Sequence, residues 1–443
     1  MNCLIETLGC PKNVADSESA AGILERAGHR IVNDPSDADV ILVNTCGFIN
    51  DAKEESIDRI FEMAQYREQG TKLIVSGCLS QRYGEALYKS MPEVDLFMGV
   101  NEYAKLPEYL ESLQKTDNKK HSPRICGCLP EYEELGKRKS LGSSYTMYLK
   151  IAEGCDNRCA YCVIPSIRGH YRSRKPEEIL AEARDAAEQG CKELILVAQD
   201  VTAYGMDFEE AFRLPDLLKA LCKIDEIRWI RLLYCYEDRI TDDLIRVMKD
   251  NPKICRYLDI PIQHASDKVL KRMNRRSTEA SIRGTIEKLR RELPDICIRT
   301  TLITGFPGEK QEDFHILKNF VEDMKFDRLG VFAYSKEENT EAAAMPSQVK
   351  ESTKLRRRDQ IMAMQMEISL RHNQEKIGSV QEVLVEEKDE EPGTWIGRSR
   401  FDAPDIDNSV IFTSERELKP GDLVRVLITD AFDYDLVGKE TER

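Results

Sequence analysis

The chain has 443 residues, of which 41% are hydrophobic and 33% are charged, and its formal net charge is −14. This length allows two or three domains with separate cores, and the composition excludes a disordered or fibrous protein. The N-terminus has no basic region followed by an apolar stretch, and no apolar run approaches the roughly 20 residues that span a bilayer. We therefore expect a cytoplasmic protein without a membrane partner, whose 14 cysteines are metal ligands or buried thiols rather than disulfides.

The acidic balance also bears on the kind of partner. Proteins that bind nucleic acids usually carry a basic surface, because neutralising phosphates supplies most of their affinity. A net charge of −14 instead favours a basic partner, although it leaves room for a local basic patch.

The first hundred residues alternate short apolar runs with helical patterns. We predict strands at residues 3–7, 40–44 and 73–76, followed by helices at residues 17–27, 52–68 and 81–90. This βαβ order predicts an open parallel sheet with covered faces.

A cysteine follows each of these three strands within about three residues, and each has a glycine next to it: Cys10, Cys46 and Cys78. Ligands of open α/β sheets gather at the carboxyl ends of the strands. Buried free thiols are the alternative, but core cysteines would lie inside the strands rather than beyond them. The pattern therefore predicts a site with three thiolate ligands.

Residues 115–139 are polar and rich in turn formers, which predicts a linker. Cys126 and Cys128 lie within it, either as a ligand or redox pair or as thiols without a function.

From residue 145 onward a longer alternation begins. We predict strands at residues 145–151, 193–198, 229–233, 256–260, 298–303 and 330–333. Helices fit the intervals at residues 176–189, 215–223, 241–250, 278–292 and 309–324. Six strand–helix units indicate a (β/α)6 partial barrel, with the chemistry at the carboxyl ends of its strands.

The loop after the first of these strands holds three cysteines in CxxxCxxC spacing: Cys155, Cys159 and Cys162. Four thiolates complete a 4Fe–4S cluster, whereas three leave one iron open for chemistry. A zinc knuckle without its fourth ligand is the alternative. The loop resembles that of radical S-adenosylmethionine (SAM) enzymes, and the resemblance implies a SAM-binding 4Fe–4S cluster with Tyr161 near the adenine.

Polar or glycine-rich segments follow the later strands. The segment from Gly305 to Glu309 is either a SAM contact, since glycine permits close approach, or merely a helix entry. His264 is either a structural histidine or a substrate contact. Arg168 and Arg174 are candidates to meet the SAM carboxylate or an acidic substrate group.

The C-terminal part changes pattern again. Residues 347–374 predict one helix with a solvated basic stretch, and short strands follow at residues 380–385, 394–398, 410–412 and 423–429. They predict a small antiparallel β-barrel. We therefore divide the chain into an N-terminal domain of residues 1–125, a central domain of residues 140–372 and a C-terminal domain of residues 373–443.

Two three-cysteine sets followed by a small barrel resemble the radical SAM methylthiotransferases, over essentially the whole chain. The resemblance implies an enzyme with an auxiliary 4Fe–4S cluster on Cys10, Cys46 and Cys78 and a second cluster that binds SAM. It also implies a TRAM domain that binds substrate, an electron donor, and conversion of a C–H bond into C–S–CH3.

Two branches of this family compete. One modifies an adenosine in tRNA, and the other, the RimO type, modifies the β-carbon of an aspartate in the twelfth small-subunit ribosomal protein. Two sequence motifs resemble those of the second branch: Gly9-Cys10-Pro11-Lys12-Asn13 and Pro165-Ser166-Ile167-Arg168-Gly169.

The charge of the C-terminal domain supports the same branch. Residues 376–443 carry 9 basic and 17 acidic residues, which disfavours tRNA and favours a basic ribosomal protein or the ribosome as partner. A non-catalytic iron–sulfur adaptor or redox sensor is the alternative from another class.

Overall fold

A computed structural model describes residues 1–115 and 135–442 of the chain. Three units follow one another, and each has its own hydrophobic core. The domain boundaries predicted above stay a prediction, and Cys126 and Cys128 lie outside the described residues.

The N-terminal unit is an open parallel sheet, as predicted. Its strands are β1 (Asn2–Thr7), β2 (Arg30–Ile31), β3 (Val40–Thr45), β4 (Lys72–Gly77) and β5 (Leu96–Phe97). Its helices are α1 (Pro11–Arg26), α2 (Asn50–Ala64), α3 (Cys78–Ser90) and α4 (Leu106–Lys115). The strand order is β2-β1-β3-β4-β5, so the three predicted strands are neighbours.

Helix α1 begins at Pro11 rather than at the predicted residue 17, with Cys10 as its N-cap. Proline suits the first turn of a helix because its missing N–H has no intrahelical acceptor there. Helix α3 likewise begins at Cys78 rather than at residue 81. Two of the predicted ligands therefore lie at helix N-termini, where the helix dipole favours negative charge.

The central unit is a six-stranded parallel partial barrel. Its main strands are β6 (Thr146–Lys150), β9 (Glu193–Val197), β10 (Trp229–Leu232), β11 (Ile254–Asp259), β12 (Cys297–Thr304) and β13 (Arg328–Ala333). They pair in the order β13-β12-β11-β10-β9-β6, and a short pair, β7 (Ala152–Glu153) and β8 (Arg172–Ser173), flanks the cysteine loop.

Helices alternate with these strands along the chain. They are α5 (Ile164–Arg168), α6 (Pro176–Glu188), α7 (Leu214–Leu221), α8 (Asp242–Asp250), α9 (Asp267–Arg272), α10 (Glu279–Glu292), α11 (Gln311–Met324) and α12 (Glu341–Ala344). The long helix α13 (Glu351–Gln374) then leads to the C-terminal unit. The main core of the central unit contains completely buried strand residues: Leu196, Ile230, Leu258 and Ile298.

The C-terminal unit is a closed five-stranded barrel. Its strands are β14 (Val380–Lys388), β15 (Thr394–Ser399), β16 (Val410–Thr413), β17 (Leu423–Ala431) and β18 (Leu436–Glu440). The sequence pattern missed β18, which closes the barrel between β16 and β17. The barrel is also not wholly antiparallel, because β16 and β18 pair in parallel.

The C-terminal barrel contacts the central unit through buried ion pairs. Arg398 donates to Glu193 Oε2 at 2.5 Å, and Arg231 donates to Glu193 Oε1 at 2.8 Å. Asp402 accepts from Arg328 at 2.6 Å. Some of the acidic residues counted in the sequence therefore face the central unit and not a partner.

Among the residues described, no helix is long and apolar enough to cross a membrane.

Candidate metal centres

The first cysteine set lies at one edge of the N-terminal sheet. Cys10, Cys46 and Cys78 directly follow the neighbouring strands β1, β3 and β4, within three residues of each strand end. Cys46 and Cys78 are buried, and Cys10 is half-buried. The structure thus brings together the three thiols that the sequence predicted to meet.

Two glycines permit this close approach. A Cβ atom on Gly9, whose φ is +89°, would lie 2.7 Å from Cys46 Cβ. A Cβ atom on Gly47 would lie 2.7 Å from the backbone nitrogen of Leu79. Real side chains do not tolerate such contacts, so the cysteine loops need glycine at both positions.

Two thiols of this set, those of Cys46 and Cys78, resist ionisation in the absence of a metal. Burial raises the pKa of Cys46 to about 12, and the nearby Cys10 and Cys78 thiols add to the rise. Burial also raises the pKa of Cys78, and Arg168 opposes that rise. Iron binding would have to displace these protons, which couples cluster assembly to pH.

The second set lies in the loop between β7 and α5. Gly154 begins this loop with a φ of +79°, and a Cβ atom there would lie 1.9 Å from the carbonyl oxygen of His170. The Cys155 amide donates to the Gly169 carbonyl at 3.1 Å. Burial raises the pKa of Cys155 to about 11 and also raises that of Cys162.

Polar side chains from other strand ends hold the loop in place. Asn157 donates to Asp200 Oδ2 at 2.8 Å, and Arg239 donates to Asn157 Oδ1 at 3.1 Å while also pairing with Asp200. These contacts hold the loop against the segments that follow β9 and β10.

Tyr236 contacts Cys159, and Arg275 packs on the Tyr236 ring. The Tyr236 hydroxyl lies 3.4 Å from Cys159 Sγ. The Arg275 guanidinium stacks 4.6 Å from the centroid of the Tyr236 ring and donates to Glu237 Oε2 at 3.0 Å. These groups form a polar environment beside the second set.

Arg168 connects the two sets. It ends α5, six residues after Cys162, and is 1% exposed. Its Nη2 donates to Cys78 Sγ at 3.4 Å and to Asn13 Oδ1 at 2.9 Å. Arg168 therefore contacts a thiol of the first set from the helix that follows the second.

Two buried carboxylates hold Arg168. Its Nη1 donates to Asp16 Oδ2 at 2.7 Å and to Glu153 Oε2 at 3.1 Å. Lys150 donates to the same two carboxylates at 2.5 Å and 3.0 Å. Burial alone would raise the pKa of Glu153, but Arg168 and Lys150 hold it well below its usual range. Arg174 is also buried and pairs with Glu182 at 2.7 Å, so in this structure both arginines are engaged within the protein.

Lys12 also connects the N-terminal and central units. It is 7% exposed, and its ammonium lies 3.7 Å from the centroid of the Tyr234 ring. Tyr234 follows β10 at the carboxyl end of the partial barrel and has a φ of 61°. Sequence reasoning quoted Lys12 only as part of a motif and gave it no function.

A cavity of about 550 Å³ opens beside Tyr161. It lies between residues 48–51 of the N-terminal unit and the ends of β12 and β13. Tyr161 meets Phe306 edge to face, with ring centroids 6.5 Å apart. The cavity size and its aromatic lining suit a nucleoside-sized ligand.

Gly305 and Glu309 lie in the turn after β12. Glu309 is buried, and its Oε2 accepts hydrogen bonds from the amides of Gly305 at 2.6 Å and Phe306 at 3.1 Å. Arg357 donates to Glu309 Oε1 at 2.8 Å. The Glu309 carboxylate thus shapes the turn, and His264 is buried 3.8 Å away from it. A cofactor-binding role for Gly305 and Glu309 stays a prediction.

The donor set fits a polynuclear cluster in both places. No three His, Cys, Asp or Glu side chains of the described residues converge as the ligands of a single ion would. The thiolates of an iron–sulfur cluster bind separate irons and need no such convergence.

Three known protein families match consecutive parts of the chain. Residues 2–99 match the family described as Uncharacterized protein family UPF0004. Residues 149–321 match the Radical SAM superfamily, and residues 377–440 match the TRAM domain.

Curated relatives match over nearly the full length. A protein of Desulforamulus reducens is 49% identical over 98% of this chain and 98% of its own length. A protein of Geobacter sulfurreducens is 49% identical over 98% of this chain and 97% of its own length. Both are named ribosomal protein uS12 methylthiotransferase RimO.

Solved structures share the fold at low sequence identity. The radical SAM methyltransferase TsrM from Kitasatospora setae, solved with cobalamin and a [4Fe-4S] cluster, has a TM-score of 0.55 and 13% identity over 86% of this chain and 80% of its own. The cobalamin-dependent SAM radical enzyme OxsB has a TM-score of 0.54 and 14% identity over 83% of this chain and 56% of its own.

Proposed function

The chain belongs to the family of ribosomal protein uS12 methylthiotransferases named RimO, and we propose that it adds a methylthio group to the β-carbon of one aspartate of uS12. It is a radical SAM methylthiotransferase whose cofactors are two 4Fe–4S clusters and SAM. When bound, these cofactors supply the sulfur, the methyl group and the one-electron chemistry that replace a C–H bond by C–S–CH3.

One observation carries the proposal: two sets of three thiols lie on either side of one interdomain boundary, joined by the contact of Arg168 with Cys78. The reaction needs a radical source and a sulfur donor close to one carbon atom, and this arrangement supports both. Cys155, Cys159 and Cys162 would hold the cluster that binds SAM, and Cys10, Cys46 and Cys78 the auxiliary one.

Tyr161 beside the cavity and the turn after β12 have supporting roles in this proposal. Tyr161 contacts the adenosyl group of SAM through its ring. Gly305 brings backbone close to the same ligand, and Glu309 keeps the turn in shape through the amides that it binds.

The C-terminal barrel is the surface proposed to meet the substrate. Exposed acidic side chains outnumber exposed basic ones there, and they include Glu387, Glu390, Glu391, Glu415 and Glu417. Such a surface attracts a basic ribosomal protein or the ribosome and repels tRNA phosphates. We place the reaction in the cytoplasm, with an electron donor as a further partner.

The test offers anaerobically reconstituted, reduced protein and SAM either to small ribosomal subunits or to bulk tRNA, with mass spectrometry of both. We expect a methylthio-for-hydrogen gain on uS12 alone. A C155A/C159A/C162A variant, which keeps the first thiol set, should give none. A methylthio gain on tRNA would contradict the proposed substrate. The absence of both a gain and 5′-deoxyadenosine would favour an iron–sulfur adaptor.

A further inference from the structure

Lys12 is a buried cation for which the described residues provide no anionic partner. Its side chain belongs to the first turn of α1, two residues after Cys10, and is 7% exposed. An ammonium group carries three N–H donors, and burial without acceptors is costly. Its ammonium contacts the Tyr234 ring, 3.7 Å from the ring centroid.

The nearby carboxylates are already occupied. Asp16 pairs with Lys150 and Arg168. Asp259 accepts hydrogen bonds from Arg299 at 3.2 Å and from the Tyr234 amide at 3.0 Å. An anion that meets Lys12 must therefore come from outside the protein or from a cluster.

Lys12 bridges the two units that carry the thiol sets. It belongs to α1 of the N-terminal unit, two residues after Cys10, and its ammonium stacks on Tyr234, which follows β10 at the carboxyl end of the partial barrel. The loop with the second set follows β7 and belongs to the same central unit. The ammonium therefore lies at the boundary between the unit of the first set and that of the second, where we expect the reacting carbon.

We propose that Lys12 is a specificity-determining residue whose ammonium binds the carboxylate of the target aspartate. This inference rests on the proposed function. The aspartate β-carbon is bonded directly to the carboxyl carbon, at about 1.5 Å, so holding the carboxylate also places the reacting carbon. A neutral nucleobase would leave the ammonium without an anion, which adds to the discrimination.

Tyr234 has a positioning role in this arrangement. Its ring holds the ammonium from one face by a cation–π contact, which leaves the N–H donors on the other face for a carboxylate. The Tyr234 backbone is held by two hydrogen bonds, from its amide to Asp259 and from the Val201 amide to its carbonyl at 3.0 Å. These two hydrogen bonds fix the position of the ring relative to β9 and β11.

The test is a double-mutant cycle between Lys12 and the substrate carboxylate. The target aspartate, identified by the mass spectrometry above, is replaced by asparagine in purified uS12. Binding of both forms is measured by fluorescence anisotropy with wild-type protein, K12M and K12R. K89M, at an exposed lysine of α3, is the matched control.

We expect the wild type and K89M to bind the aspartate form about tenfold or more tightly than the asparagine form, because a charge-assisted contact is lost. K12M should bind both forms equally, and K12R should keep part of the preference. Binding can be measured without turnover, so the comparison is made both with reconstituted and with cluster-free protein. Iron content and electron paramagnetic resonance (EPR) spectra show whether each variant holds its clusters.

Three results separate the possibilities. A preference that persists in K12M overturns the proposal, as does a wild type without preference. If K12M keeps the preference but loses a cluster, Lys12 is a counterion of that cluster and not a substrate contact. If wild-type protein neither binds nor modifies uS12, the proposed function itself fails.

Discussion

The Arg168 guanidinium donates a hydrogen bond to Cys78 Sγ at 3.4 Å, across the boundary between the central and N-terminal units. The donor comes from the helix after one thiol set, and the acceptor belongs to the other. A single side chain thus couples the position of the two candidate metal centres. Hydrogen bonds to ligand sulfurs also tune the reduction potential of iron–sulfur clusters.

Replacing Arg168 should damage both stability and the auxiliary cluster. R168M leaves the buried Asp16 and Glu153 carboxylates with Lys150 as their remaining cationic partner, and loss of one partner of a buried ion pair costs about 3–5 kcal/mol. R168K should lose less because it keeps the charge. Urea denaturation measures the stability, and R184M, at an exposed arginine of α6, is the control.

The same variants should change the electronic properties of the auxiliary cluster. Without the donor to Cys78 Sγ, we expect a lower reduction potential, since the sulfur regains electron density. EPR-monitored redox titration in the C155A/C159A/C162A background isolates this cluster. An unchanged potential in R168K and R168M would show that the contact has no electronic role.

The two thiol sets should lose their clusters independently. C78A should lower the iron content of reconstituted protein by about half, because each set would hold one four-iron cluster. C159A should cause a similar loss from the other site. C191A, at a buried cysteine of the central core, should retain the full iron content. Equal iron in C78A and wild type would contradict the assignment of the first set.

Gly9 and Gly28 offer a matched test of the close approach of the cysteine loops. Both have positive φ, +89° and +82°, so alanine costs about 1–2 kcal/mol of backbone strain at either position. Only the Gly9 substitution also meets Cys46, because a Cβ atom on Gly28 has nothing within 4 Å. We expect G9A but not G28A to lose auxiliary-cluster iron, as measured by iron and sulfide assay.

The contact between the C-terminal barrel and the central unit should weaken in acid. Burial opposes ionisation of Glu193, but Arg398 and Arg231 lower its pKa below the ordinary value of 4.5. A lowered folded-state pKa gives stability that is present above the unfolded value and is lost as the pH falls through the folded one. The free energy of unfolding should therefore not change with pH near neutrality, and it should decrease as the pH is lowered below about 4.5.

Cluster-free protein is suited to this measurement, and its fluorescence comes from two tryptophans. Trp229 donates to Glu382 of the C-terminal barrel at 2.8 Å and so reports on that interface. E193Q should be less stable than wild type at pH 7, and its stability should decrease less on acidification. An equally steep acid dependence in both proteins would exclude Glu193 as its source.

Much of this molecule followed from local patterns. The loop with Cys155, Cys159 and Cys162 was predictable because covalent spacing alone keeps these thiols together. Cys10, Cys46 and Cys78 were predictable because parallel strands carry their carboxyl ends to one edge of the sheet. Short elements escaped prediction: β2 and β5 have two residues each, too few for a periodic pattern. The five-residue strand β18 was also missed.

The sequence by itself determined the two thiol sets and the order of the three units, since each depends on spacing or on a repeated period, and its motifs resemble those of one family. Only the tertiary structure decided that Arg168 meets Cys78, that Lys12 stacks on Tyr234, and that several acids of the C-terminal barrel face inward. The physical reason is that a long charged side chain meets whatever partner domain packing provides. No periodicity in the chain encodes a contact between residues 90 positions apart, such as Arg168 and Cys78.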